Sequence, residues 1–159
     1  MRKYIYIEAF IQWLKFFKTM KIKNFFVNFV LPAIVILVFY FSQKDLITEI
    51  ESFSSFYIGI VTISTLIIGF SYSMIVSLIT SNGDNTTRLK SEKLDNKSIT
   101  MFEGMLYKFY FVIINLIVIM IWTVLVLIVD FSGVISLLVI VFVVISSLFV
   151  LIEGLANLV

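Results

Sequence analysis

Four long apolar runs, none with a charged residue in its interior, dictate what this chain can fold into. They cover residues 25–41, 56–80, 109–129 and 134–152. A helix needs roughly 20 apolar residues to cross the hydrocarbon of a bilayer, within a range of about 17 to 25. The third run has an aromatic lead-in that starts its span at about residue 105. The first is the shortest, and Pro32 near its middle predicts a kink. A single run of this kind could be a buried helix of a soluble protein, but four in 159 residues could not all be covered. The composition agrees. Hydrophobic residues make up 61% and charged ones 14%, against roughly half and a quarter in soluble domains. The expected fold is all-α: an integral membrane four-helix bundle over 25–159, with an N-terminal amphipathic helix lying in the membrane interface over 1–24.

The distribution of charge sets the expected orientation. Arg2, Lys3, Lys15, Lys18, Lys21 and Lys23 precede the first span. Arg88, Lys90, Lys93 and Lys97 lie between the second and third, and Lys108 enters the third. Only Lys44 falls on the other side, together with Asp45, Glu49, Glu51 and Asp130. Eleven of the twelve basic residues therefore share one side, which the positive-inside rule assigns to the cytoplasm. The expected location is the plasma (inner) membrane, multi-pass, with both termini and the loop 81–104 cytoplasmic. Sequons at Asn85 and Asn96 fall in that loop and read as chance matches. No cleavable leader is evident, so the N-terminus is expected to be retained. The chain stops soon after the fourth span without the usual basic flank, and the expectation is of a longer native C-terminus.

Outside the spans, Tyr4, Ile7, Phe10, Ile11, Leu14 and Phe17 recur at helical spacing, with Lys15, Lys18 and Lys21 mainly off that stripe. This is the pattern of a basic helix on a membrane surface, drawn to anionic lipids. The same surface, with Lys23, Arg88, Lys90 and Lys93, could dock a soluble cytoplasmic protein. The second span should end near Asn82-Gly83, followed by a polar loop with one helical turn. Thr100 and Glu103 fit a capping box that starts the third helix. The outer connectors are short: an acidic loop over 42–55 and a tight hairpin over 130–133.

Catalytic equipment is scarce. The chain has no Cys and no His, which removes thiolate and imidazole chemistry. No cofactor or metal motif is present, no direct nucleic-acid contact is expected, and no enzyme activity is expected. Transporters usually need an ionisable group within the membrane. Glu153 reads as a residue at the end of the fourth span that reaches water. What remains inside is small and polar. Thr65, Gly69, Ser73 and Ser77 recur every four residues on the second span. Such a stripe suits close helix packing, or alternatively the lining of a pore. Asn115, Ser146 and Ser147 fall near the same depth, and Asn115 is expected to bond a Ser or Thr of another helix.

The layout resembles the membrane subunits of Kiwa-type anti-phage systems over the whole chain, in its four spans, small size, inside termini and the segment Gly69-Phe70-Ser71-Tyr72-Ser73 running toward the Ser81-Asn82 loop. The resemblance implies an oligomeric membrane scaffold or sensor, noncatalytic, that recruits and restrains a soluble cytoplasmic effector. The alternative from the residues themselves is a pore-forming effector or small ion channel that depolarises the membrane.

Overall fold

A computed structural model of the chain describes residues 10–11, 13–17, 20–42, 54–81, 83–93, 99–129 and 134–156. Helix α1 spans Ile22–Ser42, α2 Ser54–Thr80, α3 Asp84–Ser91, α4 Met101–Val129 and α5 Val134–Ala156. Every one except α3 is long and apolar enough to cross a membrane. At about 1.5 Å per residue these four run from about 30 to 45 Å, at or beyond the hydrocarbon thickness. The chain is a multi-pass, all-helical membrane protein. Tyr4, Ile7, Lys18, Asn82, Asn96 and Lys97, most of the outer acidic loop and the 130–133 hairpin lie outside the described residues.

Local chemistry accounts for the helix boundaries. The Thr100 amide donates to Glu103 Oε2 at 2.9 Å, and the Glu103 amide donates to Thr100 Oγ1 at 3.2 Å. This reciprocal cap satisfies two donors that a helix start leaves open and fixes where α4 begins. Within the polar stretch before it, the expected single helical turn is instead the eight-residue helix α3. α3 has Asp84 in its first turn and Arg88 and Lys90 in its last, which complements the helix dipole. Its Leu89 and Thr86 are buried, and α3 packs on α4.

The irregularity that Pro32 predicts takes the form of a π turn over Phe26–Val30. The Leu31 amide reaches back five residues to the Phe26 carbonyl. Proline lacks an amide hydrogen, and its ring crowds the carbonyl four residues earlier, here that of Asn28. A widened turn at that place relieves the crowding and rotates the residues before it.

α4 lies between α2 and α5, α1 packs on α5, and α2 also touches α5. Burial along α4 is uneven. Near its start Met105, Tyr107, Phe109, Phe111 and Val112 are all buried, pointing in several directions around the helix. Toward its far end Val118, Ile121, Trp122, Val124, Leu125 and Ile128 are exposed. The bundle is therefore dense at the end that carries α3, its basic end, and opens toward the other. A soluble domain could not leave so much aliphatic and aromatic surface uncovered; in lipid it is the expected outer face.

Candidate functional site: a polar clamp and an aromatic lock

Four polar side chains from three helices converge at the basic end. Glu153, near the end of α5, receives Lys108 Nζ of α4 at 2.7 Å. Asn24 and Asn28 of α1 donate their amide nitrogens to its two oxygens, at 2.5 Å and 2.6 Å. The two asparagines are four residues apart, so one helix face presents both. Asn24 precedes the π turn over Phe26–Val30 and Asn28 lies within it. Lys108 and Glu153 are 14% and 25% exposed, so the pair is largely withdrawn from solvent. Buried Gly154 packs here, and a Cβ on it would make ordinary van der Waals contact with Phe109 at 3.7 Å and the Lys108 stem at 3.8 Å. The Asn28 Oδ1 atom is buried and has no partner among the described residues.

This clamp corrects the sequence expectation for Glu153. It does not simply extend to water but ties α1, α4 and α5 together. Three donors, one of them the Lys108 ammonium, occupy the carboxylate and join the three helices. Sequence reasoning missed Asn24 and Asn28. The available signal was their four-residue spacing at the same membrane end as Lys108 and Glu153.

The second constellation joins the N-terminal segment to α4. Residues 10–11 and 13–17 are helical. Trp13 Nε1 donates to Asn115 Oδ1 at 3.1 Å. The expected Ser or Thr partner for Asn115 is thus replaced by an indole 102 residues earlier in the chain. Phe16 is 1% exposed and meets Phe111 with ring centroids 4.1 Å apart. Trp13 and Phe17 also contact that ring. Lys15 sits over the Tyr107 ring, 5.6 Å from its centroid. Going back along the segment therefore means going forward along α4, from Tyr107 to Asn115. The segment lies alongside α4, antiparallel to it. Its apolar residues Phe10, Ile11 and Leu14 stay exposed, while Trp13, Phe16 and the exposed Phe17 contact the Phe111 ring.

The small stripe of α2 is exposed, and only its Thr65 reaches α4 among the described bonds, its hydroxyl lying 3.8 Å from Met120 Sδ. Thr65, Gly69, Ser73 and Ser77 are all exposed, and a Cβ on Gly69 would meet nothing within 4 Å. Thr65 turns its hydroxyl back to the Val61 carbonyl at 2.8 Å, as mid-helix hydroxyls commonly do. The inward face carries Tyr57, Ser64, Ile67, Ser71, Ile75 and Leu78 instead. Ser146 and Ser147 of α5 are buried. The hydroxyls of Ser64, Ser71, Ser146 and Ser147 have no hydrogen-bond partner among the described residues.

Of the basic residues, Lys90 lies over the Phe102 ring at 5.3 Å, and Arg88 pairs with Glu92 at 3.8 Å on the surface. Lys21, Lys23 and Lys93 are exposed. Lys18 lies outside the described residues. Among the described residues no three acidic side chains group so as to hold a metal ion. In comparisons with known proteins, no protein family, no curated protein and no solved structure matches this chain.

Proposed function

We propose that this chain is a noncatalytic membrane scaffold or sensor, which assembles with copies of itself and recruits a soluble cytoplasmic partner. The observation that carries the reading is the outward face of α2. Gly69, Ser73 and Ser77 are exposed where lipid would otherwise meet them. A mid-helix glycine costs helix stability, and small residues gain most where another backbone approaches closely. A second α2 from another copy would use both features. The one-sided basic charge supports an inner-membrane orientation with α3 and the N-terminal segment facing the cytoplasm, beside anionic lipid. Lys93, Arg88 and the exposed part of α3 then form the surface offered to a partner. A role in anti-phage defence rests on the resemblance to Kiwa-type membrane subunits alone.

The chain has no cysteine, so single cysteines report proximity cleanly. Under mild oxidation in membranes, Ser73→Cys and Ser77→Cys should each form a disulfide-linked dimer, whereas Val38→Cys on the outer face of α1 should not. Gly69→Leu should weaken the Ser77→Cys cross-link. Equal cross-linking at Ser73 and Val38, or a monomer in mild detergent and in lipid nanodiscs, would remove self-assembly from the proposal.

A pore is the second reading. It is favoured by the buried hydroxyls of Ser64, Ser71, Ser146 and Ser147, which have no hydrogen-bond partner among the described residues. Expression should then depolarise cells, and Ser71→Leu should abolish the effect. An unchanged membrane potential together with silent planar bilayers would exclude it.

A further inference from the structure

A half-open groove of about 440 Å³ runs between α2 and α4. Tyr72 and Ile75 form one wall, Tyr110, Ile113 and Ile117 the other, and Phe10 of the N-terminal segment closes one side. Its size lies in the range of small-molecule pockets, about 300–1,000 Å³. Its lining is almost wholly aliphatic and aromatic, with no charged group. Along α4 it extends from Tyr110 to Val118, about 12 Å at 1.5 Å per residue. The groove thus follows the direction of a hydrocarbon chain in the bilayer, within a segment apolar enough to span it.

One end of the groove is marked chemically. Tyr107 lies one turn before Tyr110 on the same side of α4, and Lys15 Nζ sits over the Tyr107 ring. A chain lying against Ile113 and Ile117 has its polar end directed to this ammonium. Exposed Lys21 and Lys23 follow in the chain and add positive charge at the basic end, whereas Glu103, one turn before Tyr107 on α4, is an acidic group within electrostatic reach of that ring. We infer that the groove holds one acyl chain of an anionic phospholipid, with Lys15 meeting the headgroup. The inference sharpens the anionic-lipid contact within the proposed function. It needs no self-assembly, since both walls and the cation come from a single chain.

Trp13 stacks on Phe10 with ring centroids 5.5 Å apart, which makes it a built-in reporter. The full-length Trp122→Phe chain, which leaves Trp13 as its only tryptophan, is reconstituted into phosphatidylcholine vesicles. A small fraction of lipid is replaced by phosphatidylglycerol or by phosphatidylcholine brominated on the acyl chain. Brominated phosphatidylglycerol should quench Trp13 with an apparent association about fivefold stronger, the worth of one basic residue near an anionic headgroup. Lys15→Gln should remove that preference, Lys15→Arg should keep it, and Lys23→Gln should leave it unchanged. Ile113→Phe, which fills the groove, should lower quenching by both lipids. Equal quenching by the two headgroups overturns the proposal. So does equal loss in Lys15→Gln and Lys23→Gln, which would mean general surface charge. Quenching by neither lipid, with Ile117→Cys linking two chains, would assign the groove to a second copy and also overturn it. A failed Ser73→Cys cross-link with intact headgroup preference would dismiss self-assembly and keep this site.

Discussion

At the scale of single residues, Glu153 carries the most consequence. Its charge is compensated by Lys108 and its oxygens by Asn24 and Asn28. Removing one member leaves a partly buried charge or donor without its partner, which costs more than the intact pair contributes. Lys108→Met and Glu153→Met should each lower stability by about 1.5–3 kcal/mol, the range for hydrogen bonds to charged groups. The double variant should recover part of that loss, since it removes the orphaned charge but still leaves the Asn24 and Asn28 amides without their acceptor. Unfolding in mixed micelles across the four-member cycle measures this; additive losses would mean that the two side chains act independently. The Trp13–Asn115 bond is a smaller matter. Trp13→Phe and Asn115→Val should show a coupling of about 0.6–2 kcal/mol, in keeping with polar contacts between membrane helices.

The distinction between what sequence showed and what it missed is sharp at this scale. The Thr100–Glu103 cap was legible because both partners sit three residues apart and the motif is local. Glu153 and Asn115 were not, because their partners lie 129 and 102 residues away. Pattern along a chain ranks residues by cost of burial, but it does not say which distant donor offsets that cost.

At the scale of elements, α1 and α2 each depart from the simplest reading in an informative way. In α1 the π turn at Phe26–Val30 absorbs the crowding from Pro32 and leaves Asn24 and Asn28 aimed at Glu153. Replacing a mid-helix proline ordinarily helps a helix, by about 3 kcal/mol relative to alanine. Pro32→Ala should instead destabilise this chain or leave it unchanged. A regular α turn there would rotate the preceding residues and withdraw the two amides from the carboxylate. The sign of the change in unfolding free energy decides the point, and the effect should vanish when Asn24 and Asn28 are both replaced by Leu. In α2, helical spacing identified the Thr65–Gly69–Ser73–Ser77 stripe but not its direction. The face that turns inward is set by how Ser64, Ile67 and Ser71 fit between α4 and α5. α3 depends on Leu89, which is 2% exposed. Leu89→Ala should release α3 from α4, read as faster proteolysis within residues 84–99 without loss of the four spans.

At the scale of the whole molecule, density and charge are both asymmetric. The basic end packs α3, the N-terminal segment and the Glu153 clamp around α4, while the other end exposes much of it. The proposed orientation places the dense end in the cytoplasm. Lys93→Cys should then react with a membrane-impermeant maleimide only after permeabilisation, and Ser54→Cys should react in intact spheroplasts. The opposite pattern would invert the orientation and take the partner-docking surface out of reach of cytoplasmic proteins.

The sequence by itself determined that this protein is a bundle of spanning helices, where those spans lie, how one of them is capped and that its charge is one-sided. These follow from local rules: lipid offers the backbone no hydrogen bonds, so an apolar run of sufficient length becomes a helix wherever it stands. Only the tertiary structure decided which face of each helix turns inward. An apolar helix in lipid has no wet side and dry side, so hydrophobicity does not choose its orientation. Close packing and a few polar bonds choose it instead. Here they bring Trp13 to Asn115, draw α1 to Glu153, and leave Gly69, Ser73 and Ser77 of α2 facing out.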